Sequence, residues 1–286
     1  MKQRISQIVS AIFYNAYIRG LLIGTIYQGQ FKHFCCPGFN CYSCPSALFA
    51  CPIGIIQFFV AYGPYYVSFY TLGILGTIGS IGGRIVCGWA CPFGLLQDLI
   101  YKIKFPKLQI PKILYGGKYL ILIFLVIIIP WYTKEPWFSK LCPAGTLEAG
   151  IPHVLYNPDL RLLIGTIFTL KIGILLFFLV WMMISCRPFC RTTCPLGAIY
   201  SLFNKVSLFK IEVDETRCNK CNHCFKMCPV GMRIYEEGGS TTNCIRCLRC
   251  TDCPAGAVTF SIKSMRHYPK EKTVTDNVSA GRETKR

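Results

Sequence analysis

The chain has 286 residues, 52% of them apolar and only 15% charged, with a formal net charge of +18. So oily a composition excludes an ordinary soluble globular domain and points to a membrane. The positive excess gathers beside apolar stretches and in the tail beyond Lys263, so it reads as juxtamembrane and solvated charge, and no nucleic-acid partner is expected.

Crossing a bilayer takes about 20 apolar residues, and residues 5–27, 65–86, 114–131 and 162–185 qualify. Asn15 and Arg19 interrupt the first of these. Lys2 and Arg4 ahead of it raise the alternative of a cleaved signal peptide, but no small-residue cleavage site follows, which favours an uncleaved anchor. Residues 119–129 and 172–184 are apolar on every face, without the polar stripe of a soluble helix. Lys102, Lys104, Lys107 and Lys112 fill the connection between the second and third spans, and Arg187, Arg191, Lys205 and Lys210 follow the fourth. The connections 28–64 and 132–161 are poorer in such residues. Cytoplasmic loops are enriched in Lys and Arg, so a multi-pass inner-membrane protein with both termini in the cytoplasm is expected. Arg19 and Lys171 lie within spans, where a charge either marks function or snorkels to an interface.

Cys-Pro-x-Gly recurs at Cys51, Cys91, Cys142 and Cys194. The second and fourth copies have another cysteine four residues earlier, Cys87 and Cys190, so the chain repeats a unit over residues 1–111 and 112–210. Proline suits the first position of a helix, which puts each cysteine at a helix N-terminus, where free N–H groups favour thiolate. Residues 95–104 and 198–205 mix apolar and charged positions, as helices on a membrane surface would. With this topology Cys87, Cys91, Cys190 and Cys194 meet at the cytoplasmic ends of two spans as ligands for one four-iron cluster. Cys51 and Cys142 correspond on the outer side, where Cys41 and Cys44 complete a second set and Cys35 or Cys36 is the alternative. Cys186 reads as a small buried hydrophobe.

Residues 211–263 carry two further blocks, Cys218, Cys221, Cys224, Cys228 and Cys244, Cys247, Cys250, Cys253, each ending in Cys-Pro. That spacing is the one that holds two cubane clusters, the last cysteine of each block serving the other block's cluster. The sets are then Cys218, Cys221, Cys224 with Cys253, and Cys244, Cys247, Cys250 with Cys228. The second block has two residues, not three, before Cys253. Structural zinc is the rival for closely spaced cysteine pairs, but it requires neither Cys-Pro nor duplication. The fold expected is mainly α, with four transmembrane helices in two tandem repeats, a bacterial-type two-cluster ferredoxin domain, and a disordered basic tail over residues 264–286.

Gly88-Trp89-Ala90-Cys91-Pro92-Phe93-Gly94 with Cys87, Arg187-Pro188-Phe189-Cys190 through Cys194-Pro195-Leu196-Gly197, and the C-terminal module resemble membrane-bound 4Fe-4S polyferredoxins. These are related to the quinol-dehydrogenase membrane subunit of periplasmic nitrate reductase and to the membrane regulator of nitrous oxide reduction. The resemblance runs from Gly82 to about Phe260. The stretch from Cys35 to Pro45 resembles instead a subgroup of uncharacterised iron–sulfur membrane proteins. The resemblance implies electron relay between a cytoplasmic carrier or the quinone pool and a membrane or outer-face redox protein, with quinol dehydrogenation as one candidate activity. An iron–sulfur redox sensor is the alternative. Quinol oxidation needs a proton acceptor, for which His33, Glu148 and His153 are the outer-side candidates.

Overall fold

The structure is a computed structural model that describes residues 2–63 and 69–262. The tail beyond Lys263 and the start of the second expected span lie outside the described residues. What is described is mainly helical, and two helices are long and apolar enough to cross a membrane, Lys112–Thr133 and Thr166–Ile184. Most of their surface is left uncovered by the rest of the chain, the pattern of a helix whose outer face meets lipid. Lys112–Thr133 is π-helical over Ile121–Ile128, just before Pro130, and Thr146–Gly150 is π-helical just before Pro152. Proline withdraws a backbone donor and shifts the pairing ahead of it.

The first expected span is not one helix. It divides into Lys2–Tyr14 and Ile18–Ile23, because Asn15 and Tyr17 turn their hydrogen bonds to the cysteine-rich loop. Asn15 pairs its amide with that of Asn40, and the Tyr17 N–H donates to the Ser46 carbonyl. Residues 28–64, expected as a connection, contain an apolar helix, Pro52–Tyr62. The second expected span is a shorter helix, Phe69–Gly82, ended by Gly83 at φ +55°.

Pro92–Ile100 and Pro195–Phe203 do not lie on the surface as their amphipathic composition suggests. Their first turns are buried, Phe93 and Gly94 in one and Leu196 and Gly197 in the other. The polar residues are inside because they have partners there: Asp98 receives a guanidinium, and Ser201 shares a hydrogen with Tyr119.

After Pro195–Phe203 the chain enters a two-stranded antiparallel sheet. Strands β1 (Phe209–Val213) and β2 (Val258–Ile262) pair with Phe209 opposite Ile262 and Val213 opposite Val258. Between them run the two cysteine blocks, wrapped alike: Lys220 and Arg246 are left-handed at one position of the block, Asn222 and Leu248 at another. Leu248 is bulky for that conformation, so the shared wrapping outranks local preference. The small core of this module is Ile211, Val230, Met232, Ile234, Ile245 and Val258.

The module is docked on the helical part. Leu208 N–H donates to Ser80, the Asn204 amide to the Thr241 and Cys244 carbonyls, and Trp89 Nε1 to the Arg246 carbonyl. Gln3 links the N-terminal helix to both parts, donating to Gly88 O and accepting from Arg249. The module therefore sits beside the start of Lys112–Thr133, where Lys112 pairs with Glu237, and residues 108–109 link it to the end of Thr166–Ile184, Leu108 N–H donating to Ile184 O and Gln109 lying beside Gly231.

Candidate metal centres

Cys51, Cys91, Cys142 and Cys194 each precede a proline at the start of a helix and have extended backbone. The Cys142 and Cys194 thiols accept the N–H of the glycine three residues on, at 3.5 and 3.3 Å. Cys87, Cys91, Cys190 and Cys194 are all buried and line one tight cavity, covered by Pro37, Gly38 and Phe39.

The two repeats meet there about an approximate two-fold. Arg187 Nη1 donates to Cys87 O at 2.6 Å, and Arg84 Nη2 to Cys190 O at 2.9 Å. Each arginine stands three residues before the first cysteine of its own repeat and serves that of the other. The symmetry breaks at their counter-charges. Arg187 is gripped by Asp98, Nε to Oδ1 at 2.7 Å and Nη2 to Oδ2 at 2.6 Å. Arg84 has only carbonyls, of Cys190, Thr242 and Asn243.

Arg84 is not alone in this. Among the described residues Arg84, Lys118, Arg187, Arg191 and Arg246 are buried cations, and Asp98 is the only acid buried to the same degree. Lys118 interacts electrostatically with the Cys87 and Cys194 thiols, and Gln97 Nε2 donates to Cys190 Sγ at 2.9 Å. Arg246 donates to the carbonyls of Gly82, Asn204 and Phe209. Burying unpaired cations costs several kcal/mol apiece, roughly, so the site calls for an anion that the side chains do not supply. A cluster held by four thiolates carries negative charge, and this donor set with its cationic surround fits one. Among the described residues no three His, Cys, Asp or Glu side chains draw together tightly enough for a single metal ion; the thiols ring cavities.

In the C-terminal module Cys228, Cys244, Cys247 and Cys250 line one cavity, and Cys224 interacts with Cys218 and Cys253. The shortened spacing before Cys253 still leaves that thiol within electrostatic reach of Cys224 in the first block. Gly88 joins this module to the buried four-cysteine cavity. A Cβ there would come within 2.6 Å of Ile245 O and 3.4 Å of Cys247 Cα, so only glycine allows the approach.

A third cavity, of about 280 Å³, is lined by Cys41, Cys51 and Cys142 together with His153, Lys140 and Lys171. Phe39 lines this cavity and the tight one alike. It packs against Phe93, Phe189 and Phe138, with ring centroids 5.4 to 6.3 Å away. Glu148 Oε2 accepts the Cys41 N–H at 2.8 Å, and burial pushes its carboxyl up to about 7 against the opposing pull of that bond. Cys44, expected with this set, turns its thiol to Ser46 Oγ at 3.1 Å and does not line the cavity. Cys35 and Cys36 face a separate apolar groove under Phe13, Tyr14, Phe31 and Phe49. His33 and Arg19 are exposed, and Cys186 is buried beside Arg187 and Arg191. Sequence reasoning missed Arg84, Lys118, Arg246 and Phe39. The repeated Arg-x2-Cys at Arg84 and Arg187 was the available signal for the first.

A family model described as a 4Fe-4S binding domain matches twice, over residues 63–111 and 166–213. The duplicated cysteine turns and the buried cations thus belong to an iron–sulfur protein. The uncharacterized protein MJ0750 of Methanocaldococcus jannaschii is 32% identical over 223 residues, which cover 74% of this chain and 86% of that relative. The ferredoxin-type protein NapH of Haemophilus influenzae is 26% identical over 64% of each chain. The regulatory protein NosR of Stutzerimonas stutzeri is 29% identical over 60% of this chain but only 23% of its own length. No solved structure matches. The chain belongs to the 4Fe-4S polyferredoxin family.

Proposed function

We propose that this protein is a membrane-embedded electron wire. Its clusters would be held by Cys218, Cys221, Cys224 with Cys253, by Cys244, Cys247, Cys250 with Cys228, by Cys87, Cys91, Cys190 with Cys194, and around Cys51 and Cys142. When bound, such clusters each accept and release an electron, at a potential set by charge, hydrogen bonds and solvent exposure. The observation that carries the reading is the Gly88 contact, which brings the backbone of Cys247 against the residue that follows Cys87, a liner of the four-cysteine cavity. On the far side of that cavity one ring, Phe39, stands between it and the next thiol set. The thiol sets thus follow one another through the molecule with packed protein between them.

The chain's own residues exclude water and supply positive charge along this line. Arg84, Lys118 and Arg246 favour the more negative, reduced state of whatever the thiolates hold. The repeats 1–111 and 112–210 form the membrane part, crossing on Lys112–Thr133 and Thr166–Ile184 with Pro52–Tyr62 packed on the first of these, and residues 211–263 form the ferredoxin. Lysines at 102, 104, 107 and 112 flank the module's side of these helices, which supports a cytoplasmic position for it. A cytoplasmic carrier or the quinone pool would exchange electrons at one end and a membrane or outer-face redox protein at the other.

The test is iron and acid-labile sulfide per chain, with low-temperature EPR on anaerobically purified protein, followed by mixing with a quinone analogue. About four clusters and rapid reoxidation support the wire. Only two clusters, with Cys87→Ser and Cys190→Ser leaving the spectrum unchanged, refute it. Sequence similarity to a protein named regulatory favours a second reading, a redox sensor, which predicts full cluster content with no exchange with quinone or a partner protein.

A further inference from the structure

We propose that the Cys51–Cys142 centre is held by three cysteines only, Cys41, Cys51 and Cys142, and that its remaining iron position opens on the adjoining cavity to bind a small anion. This rests on the reading of that set as a cluster site.

The two four-cysteine cavities are tight, each with a volume of about 10 Å³. The cavity beside Cys41, Cys51 and Cys142 has about 280 Å³, room for a small ligand beyond the metal. Three thiols reach it. Cys41 Sγ lies 3.6 Å from where a Cβ on Gly145 would stand, which brings the cysteine-rich loop onto the second Cys-Pro-x-Gly turn. The fourth thiol that spacing offers, Cys44, is engaged with Ser46, and Cys35 and Cys36, though within electrostatic reach of Cys51, line the neighbouring groove and not this cavity.

Glu148 interacts electrostatically with all three thiols but is not part of the cavity lining, whose own polar groups, among the described residues, leave one cation free for an anion. Lys140 is neutralised by Glu135 at 2.7 Å, and His153 Nε2 is paired with Ser43 O at 2.9 Å. Lys171 has no carboxylate partner among the described residues, and it is the only charged side chain of the Thr166–Ile184 helix. A lone charge on a helix long and apolar enough to cross a membrane marks a functional position where it does not snorkel to the interface, and Lys171 turns to the cavity. A small anionic donor bound at an open iron position would place its charge where Lys171 can meet it. Volume limits that donor to something well below drug size.

Iron content and EPR of the full-length, anaerobically purified protein decide the matter, with cyanide as the probe. Cys41→Ala, Cys51→Ala and Cys142→Ala should each lose the iron of one cluster, whereas Cys44→Ala or Cys44→Ser, Cys35→Ala and Cys36→Ala keep it, and loss of that iron in Cys35→Ala would overturn the assignment. Cyanide should shift the EPR signal of that one cluster, and Lys171→Met should weaken cyanide binding at least tenfold without loss of iron. Loss of the same iron in both Cys44 variants, or in Cys36→Ala, would overturn the three-cysteine assignment, as would a spectrum that cyanide leaves unchanged. Full iron content in Cys41→Ala, Cys51→Ala and Cys142→Ala would instead remove the cluster reading on which the inference stands.

Discussion

Replacing Lys118 by methionine should stabilise the iron-free protein and destabilise the iron-loaded one. Lys118 is fully buried at 0% exposure, its Nζ has one bond, 3.3 Å to Thr242 O, and it lies 5.1 Å from the Tyr119 ring centroid. Desolvating an ammonium costs several kcal/mol, roughly. A charge-assisted bond returns about 1.5–3 kcal/mol at good geometry and a cation–π contact about 0.5–2, and the long bond here earns the low end. Arg84 and Arg191 stand near enough to repel it. Without metal the balance is unfavourable, and a methionine of similar volume should gain about 1–4 kcal/mol. With clusters in place the sign reverses, because a four-iron cluster on four thiolates carries about two negative charges, which at about 8 Å and an effective dielectric near 20 contribute about 4 kcal/mol. Denaturant midpoints of loaded and iron-stripped protein in one detergent, read by far-ultraviolet circular dichroism, give both shifts. A shift of the same sign in the two forms would refute the view that the buried cations answer an anionic cofactor.

Asp98→Asn leaves the Arg187 guanidinium buried with its carbonyl bond to Cys87 and no counter-ion; a loss of about 3–5 kcal/mol is expected in the same unfolding assay. Gly88→Ala forces Ile245 O away from a 2.6 Å contact, and overpacking of this kind costs about 1–3 kcal/mol. Its functional sign is weakened magnetic coupling between the reduced cluster near Cys247 and its neighbour, read by EPR at full iron content. Cys186→Ala should keep every iron atom, measured by metal analysis, at a stability cost of about 1 kcal/mol for a small buried side chain. Asp214 accepts both the N–H and the hydroxyl of Thr216, which hold its carboxyl below the usual range. Its contribution is therefore present above the unfolded carboxylate pKa, near 3.9, and lost as pH falls through the lower folded value. Asp214→Asn should flatten that part of the acid unfolding curve.

Much of the arrangement is legible in the cysteines alone. The Cys-Pro-x-Gly turns fall at helix starts because proline has no donor to lose there, and the duplication shows in Cys87 and Cys190. The break after Tyr14 was written less plainly: Asn15 interrupts an apolar run, but its partner Asn40 is set by tertiary contact. The depth of the loop around Phe39 is invisible to periodicity, since the loop has none. Asp98 and Ser201 made their helices look like surface elements; buried partners, not solvent, satisfy them. The cations were read as juxtamembrane charge, which hid those that turn inward, Arg84, Lys118 and Arg246.

Phe39 is a wall shared by two compartments. A single benzene ring thereby contributes to the partition between a roomy chamber and a tight one, backed by Phe93, Phe138 and Phe189. Shaving that ring to alanine would join both into one hollow, so conduction and leakage are governed at the same side chain.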